Sequence, residues 1–262
     1  MKIGISTASL FPIHTEDALL EVARLGVKDI EIFLNSVYEL RGEVFSSIQN
    51  TINEYRLNVF SFHPFSSPLE TLFLFSAYDR RVTEIMDLYK RYFEIMNKIN
   101  PCDVQKIFVI HGAAKTGKCS DGQYVERLGS LIEAGDAAGV TVAQENVSYC
   151  KSGDIHFLEM LKRELGASAK FVLDIKQVKR AGANPLHFVK SLGDSIVHLH
   201  LSDSNHSDDC MKIGAGGFDF AELFSALKNI GYKGDAVVEL YRENYDEYCD
   251  LSDCVEILKK LL

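Results

Sequence analysis

The sequence predicts a single (β/α)8 barrel spanning residues 1–262, and three observations carry that prediction. Eight short runs rich in β-branched and apolar residues recur along the chain. Longer segments with helical periodicity separate them, and ligand-type polar side chains recur near the ends of the runs. The runs are KIGIST (2–7), DIEIFL (29–34), NVFSFHPF (58–65), KIFVIHGA (106–113), TVAQENV (141–147), KFVLDIK (170–176), IVHLHLSD (196–203) and DAVVELY (235–241).

Each intervening segment reads as a helix. HTEDALLEVARLG (14–26) opens with a cap-type Thr15 and closes at Gly26, and FDFAELFSALKNIG (218–231) does the same with Asp219 and Gly231. LFLFSAYDRRVTEIMDLYKRYFEIMNKIN (72–100) is predicted to hold a loop or short turn before a long helix, and DLSDCVEILKKLL (250–262) is the last helical pattern. No Pro-, Gly- or Ser-rich linker and no low-complexity block divides the chain. The rival architecture, a doubly wound sheet, would carry GxGxxG after its first strand, and GISTAS (4–9) does not supply it.

Composition narrows the function classes. Hydrophobic residues make up 47% and charged residues 25%, which supports a sizeable core. The formal net charge of −9 repels phosphate backbones, so no nucleic-acid partner is expected. Six cysteines without a CxxC pair predict free thiols and a reduced compartment. The start MKIGISTASLF lacks the pattern of a secretory leader, and no apolar stretch is long enough to span a membrane, so a cytoplasmic protein is expected.

Strands of a parallel barrel are buried on both faces, so their polar residues need a reason. Barrel active sites lie at the C-terminal strand ends. His63, His111, Glu145, Asp174, His200 and Glu239 fall there on six of the eight runs. A lone histidine at a strand end is more often a hydrogen-bonded core residue; the joint placement is what favours a site. Three carboxylates (Glu145, Asp174 and Glu239) brought together call for a counter-charge. With imidazole beside them, a divalent cation such as Mn²⁺, Zn²⁺, Co²⁺ or Mg²⁺ suits the donor set. His198 shares the strand parity of His200 but lies one layer deeper, as a core histidine or a support for the ligands.

These residues carry a family resemblance. QENV (144–147), FVLD (171–174), HLSDS (200–204), IGAGGFDF (213–220) and GYKGDAVVEL (231–240) make the chain similar, along essentially its whole length, to the xylose-isomerase-like TIM barrels. That superfamily holds sugar and sugar-phosphate isomerases and epimerases and also endonuclease IV. The resemblance to its sugar epimerases implies one metal held by Glu145, Asp174, His200 and Glu239. It also implies proton exchange with the sugar by Glu145 and Glu239 from opposite sides. The resemblance to endonuclease IV implies a second metal or substrate contact at His63 and His111. Its third metal site is not matched: Gln177 stands where a histidine is expected, and Asp208 with Cys210 stands in place of an Asp-x-His. The same Gln177 replaces a substrate-binding histidine of the epimerases.

Lys176, Gln177 and Arg242 are candidate substrate-binding residues, the two cations for a phosphate or carboxylate. The run 72–78 and Phe65 are a candidate lid. The glycines of GAGG (214–217), without a following lysine, read as a tight turn. The expected protein is a divalent-metal-dependent isomerase or epimerase of a small sugar, sugar phosphate or polyol. It would work by proton transfer next to a carbonyl, with assembly as a homo-oligomer left open by the sequence. The alternatives are an inosose-type dehydratase, an endonuclease IV-like abasic-site phosphodiesterase and a non-catalytic sugar-binding protein.

Overall fold

The computed structural model describes residues 1–65, 69–99 and 105–262. Eight parallel strands close into a barrel in sequence order, with the last pairing back on the first. They are β1 (Ile3–Ser6), β2 (Asp29–Leu34), β3 (Asn58–Pro64), β4 (Ile107–Ile110), β5 (Thr141–Glu145), β6 (Phe171–Asp174), β7 (Ile196–Leu201) and β8 (Asp235–Val238). Each lies inside one of the eight runs legible in the sequence.

The helices are α1 (Thr15–Arg24), α2 (Gly42–Tyr55), α3 (Asp79–Ile99), α4 (Asp121–Ala137), α5 (Ile155–Leu165), α6 (Ile175–Arg180), α7 (Pro185–Leu192), α8 (Phe220–Asn229) and α9 (Cys249–Lys259). They pack outside the barrel because alternate strand residues point outward into their apolar stripes. Phe108 of β4, for example, meets Tyr89, Tyr92 and Phe93 of α3 edge-on or tilted. The inward residues of the same strands are different. Ile107, Val109, Ala143, Val172 and Val197 form a small apolar cluster inside the barrel. Parity then stacks His111, Glu145 and Asp174 above Val109, Ala143 and Val172 at the C-terminal mouth.

The capping expectations divide. Asp219 caps α8, its side chain accepting from Glu222 N at 2.8 Å, as its spacing suggests. Thr15 does not cap α1: the cap position is His14, and the Thr15 hydroxyl instead bonds Glu39 Oε1 at 2.8 Å, tying the helix to the loop after β2. A short turn at Glu70–Leu74 precedes α3, in line with the pattern at 72–100. Cys119, Cys150, Cys210, Cys249 and Cys254 are free thiols, and Cys102 lies outside the described residues. Among the described residues no helix is long and apolar enough to cross a membrane.

Candidate active site and metal centre

The C-terminal mouth opens into a cavity of ≈ 400 Å³ lined by His63, His111, Glu145, Lys176, Gln177 and Glu239 among others. Aromatic side chains, including Phe33, Phe65, Tyr149 and Tyr241, form part of its walls. At its base, strand register aligns the acidic and imidazole groups. Asp174 of β6 sits opposite His200 of β7, and His200 sits opposite Val237 of β8, two residues before Glu239.

His200 Nδ1 is the focus. It lies 3.2 Å from Glu239 Oε2, 3.7 Å from Glu145 Oε1 and 4.0 Å from Asp174 Oδ2. All four residues are buried. Beside them His63 Nε2 and His111 Nε2 approach each other at 2.5 Å and stand 3.7 and 3.0 Å from Glu145 Oε2. Those contacts lack hydrogen-bond alignment: Glu145 Oε2, Asp174 Oδ2 and His200 Nδ1 are buried with no hydrogen-bond partner. Buried donors and acceptors are rarely left so, and lone pairs converging on one point are what a cation requires. The residues present therefore fit a divalent cation. Among the described residues three groups with metal-ligating atoms, Glu31/His198/His200, His63/Glu145/His200 and Asp174/His200/Glu239, each gather within 4.8 Å.

Electrostatics agrees with that fit. Burial and the nearby Glu145 and Glu239 push the Asp174 carboxyl up to about 7 against the pull of Lys176. Burial would also raise Glu239, but Lys176 and His200 outweigh it and hold it at about 2. Burial opposes ionisation of Glu145 too, yet His111 and His200 keep it well below the usual carboxylate range. Burial and the neighbouring His111 lower His63 to about 4, which leaves it a neutral imidazole. A crowd of carboxylates that cannot all ionise unaided is relieved by a divalent charge.

The backbone around these groups is locked by flanking amides. Gln144, before Glu145, accepts from Tyr124 Oη at 2.6 Å and donates to His111 O at 2.8 Å, fixing the end of β4. Asn146, after Glu145, donates to Asp174 O at 3.0 Å and accepts from Asp174 N at 2.7 Å, fixing the end of β6. Asp174 itself uses Oδ1 to cap α6 through Gln177 N at 3.0 Å, which aims Oδ2 into the site. Gly112, following His111, has φ +91, and a Cβ there would stand 2.0 Å from Tyr124 Oη.

Several sequence-predicted residues take positions the chain alone does not reveal. Lys176 is 4% exposed, with Nζ 3.0 Å from Glu239 and 3.4 Å from Asp174. It is an internal counter-ion rather than a free phosphate clamp. Gln177 lines the cavity, but its Oε1 accepts from Ser148 N and Oγ at 3.0 and 2.8 Å. Arg242 is turned away from the cavity: its guanidinium donates to Tyr245 O and Asp246 O, 2.8 and 3.1 Å away. Arg180 lines the cavity as well as Lys176, and it is paired with Asp209 through two 2.8 Å bonds and with Tyr241 Oη at 2.8 Å. Phe65 lines the cavity, whereas the run 72–78 does not: Leu74 and Phe75 are buried in the outer core, where Phe75 stacks on Tyr124. The run is packing at Leu74 and Phe75, while Leu72 and Tyr78 are exposed.

The GAGG turn is confirmed and its purpose is internal. The Asp203 carboxylate accepts from the amides of Ser204, Gly214, Gly216, Gly217 and Phe218 at 2.7–3.1 Å, so a protein carboxylate occupies the anion-binding nest. A Cβ on Gly216 would stand 2.4 Å from Asp203 Oδ1. One site residue escapes sequence reading altogether. Glu31 of β2 is fully buried, with Oε2 3.2 Å from both His198 Nε2 and His200 Nε2. His198 lies a layer below His200 and also donates Nδ1–H to Asp235 O at 3.0 Å.

Known proteins share this arrangement of chain. Fructoselysine 3-epimerase of Shigella flexneri is 23% identical over 92% of this chain and 90% of its own length. The structure of D-allulose 3-epimerase from Methylomonas sp. in complex with D-allulose superposes with a TM-score of 0.80 at 18% identity, covering 100% of this chain and 97% of that one. The IOLI protein with a bound zinc atom superposes with a TM-score of 0.75 at 19% identity, covering 100% and 96%. The family model of the xylose isomerase-like TIM barrel matches residues 19–261, and with the closed eight-stranded barrel already in view, the chain belongs to that family.

Proposed function

We propose that the protein is a divalent-metal-dependent epimerase or isomerase that moves a proton next to the carbonyl of a small sugar or polyol. The observation that carries this reading is the convergence of two buried carboxylates, Glu145 and Glu239, on His200 Nδ1 at the base of the cavity. A carboxylate held ionised can take a proton from a carbon acid, and the other, once it has drawn a proton from solvent, can return one on the opposite face, so that turnover leaves the first protonated and the second ionised. Lys176 keeps Glu239 in the accepting form, and His111 does the same for Glu145. The aromatic walls shield the reacting carbon from water. A cation held by Glu145, Asp174, His200 and Glu239 would polarise the substrate carbonyl as a Lewis acid. The sugar epimerases among its relatives support the same reading.

The cations on the cavity wall point to an unphosphorylated substrate. Among the described residues Lys176 and Arg180 line it, and both are engaged by protein carboxylates. A third-metal nuclease site is disfavoured by the same geometry. Gln177 Oε1 already accepts two hydrogen bonds, Asp208 is exposed, and Cys210 is buried with Sγ accepting from Tyr241 N at 3.3 Å.

The test is turnover of a panel of free ketoses, aldoses and inosose compounds with added Mn²⁺, Co²⁺ or Zn²⁺, beside a labelled abasic DNA duplex at low salt. The expected result is conversion of at least one free sugar, lost on chelation, and no cleavage of the duplex. Retained metal with no turnover of any sugar would favour a binding protein. Cleavage lost in Glu145→Gln would favour a nuclease.

A further inference from the structure

We infer that Glu31 is a positioning residue for the cation site, holding the ligand imidazole of His200 from behind so that its free ring nitrogen faces the cavity. This rests on the metal-dependent reading above. An ionised carboxylate only accepts hydrogen bonds. His200 Nε2 lies 3.2 Å from Glu31 Oε2, so the proton of this ring belongs on Nε2. Nδ1, the nitrogen facing Glu239, Glu145 and Asp174, is then left with its lone pair.

His63 lies beside the same carboxylate without sharing its hydrogen bond, since Glu31 Oε1 and His63 Nδ1 are both buried without a partner. Its Nδ1 is 3.9 Å from Glu31 Oε1, while its Nε2 faces Glu145 Oε2 at 3.7 Å. Glu31 is fully buried and does not line the cavity, so it has no contact with a substrate. Its orientation comes from the regular alternation of β2, since the register shift opposite it leaves the extra residue, Phe60, on β3. His198 and Ser61 complete the support. His198 Nδ1 donates to Asp235 O, and its Nε2 lies 3.3 Å from Ser61 Oγ and 3.2 Å from Glu31 Oε2. A partner of this kind fixes the tautomer of a metal-binding histidine and raises its basicity, and its loss lowers metal affinity about 10–100-fold.

The test uses zinc itself as probe. Zinc titration of the full chain is compared between wild type and Glu31→Gln, an isosteric change, with folding checked by circular dichroism. Affinity is expected to fall about 10–100-fold. In a His200→Gln background the further loss on removing Glu31 should shrink to roughly 2-fold, because the effect acts largely through that ring. A purely structural role would carry the full loss into both backgrounds. Nitrogen-15 spectra of zinc-loaded wild type need no variant and decide the matter if Glu31→Gln does not fold. His200 should carry its proton on Nε2 and zinc on Nδ1. The opposite assignment, or equal zinc affinity in a folded Glu31→Gln, overturns the inference while leaving the metal-dependent reading intact. Absence of zinc, manganese and cobalt binding by wild type would sink that reading, and the inference with it.

Discussion

Glu145→Gln is expected to lower turnover at least about 10²-fold, the range found for positioned acid–base groups. The substitution keeps the size and the neighbours of the side chain but removes the charge and the proton acceptor. Its position makes it the most sensitive single change at the mouth. One oxygen faces His200 Nδ1 at 3.7 Å, and the other faces the His63–His111 pair. Both the proposed proton acceptor and a proposed cation ligand are lost at once. Metal content must therefore be measured in the same sample. A fall in turnover at full metal occupancy assigns the loss to proton transfer, and a parallel fall in both assigns it to the ligand. Wild-type turnover, whatever the metal content, would reject any catalytic role for Glu145.

Asp203→Ala should cost about 3 kcal/mol of stability, because it strips a charged acceptor from five backbone amides in one loop. Each amide would otherwise pay to be desolvated. Water entering from the open side of the loop returns part of that cost, so the loss is smaller than five full bonds. For a chain of this length the change corresponds to a fall in Tm of roughly 6–12 °C. Differential scanning calorimetry reads it directly. A shift of under about 2 °C would mean that the GAGG turn holds its shape without the carboxylate.

Much of this molecule is legible in its sequence, for a physical reason. Parallel barrel strands are buried on both faces, so a polar residue in them stands out against an apolar run. That contrast marks Glu145, Asp174 and His200, and marks His63, His111 and Glu239 near strand ends. Glu31 does not stand out. In DIEIFL it follows Asp29 with one apolar residue between, an ordinary alternation, and nothing in the composition tells which face of β2 points into the barrel. Arg180 and Arg242 show the other limit. Which of two loop-flanking arginines reaches the cavity depends on partners 29 and 3 residues away, Asp209 for one and the Tyr245 carbonyl for the other. The apolar run 72–78 reads as a lid because nothing local distinguishes the inside of a barrel from the outside of its strands. Lys176 reads as a binder for a substrate phosphate or carboxylate until the fold brings Glu239, 63 residues away, within 3.0 Å of it.

The central claim is that one divalent cation sits at the convergence of Glu145, Asp174, His200 and Glu239. The most direct measurement is a crystal structure of manganese- or zinc-loaded protein with anomalous data at the metal edge. The account predicts an anomalous peak about 2.0–2.6 Å from a carboxylate oxygen of each of Glu145, Asp174 and Glu239 and from His200 Nδ1. A metal bound elsewhere with these four side chains diverging, or held by His198 in place of His200, would contradict it.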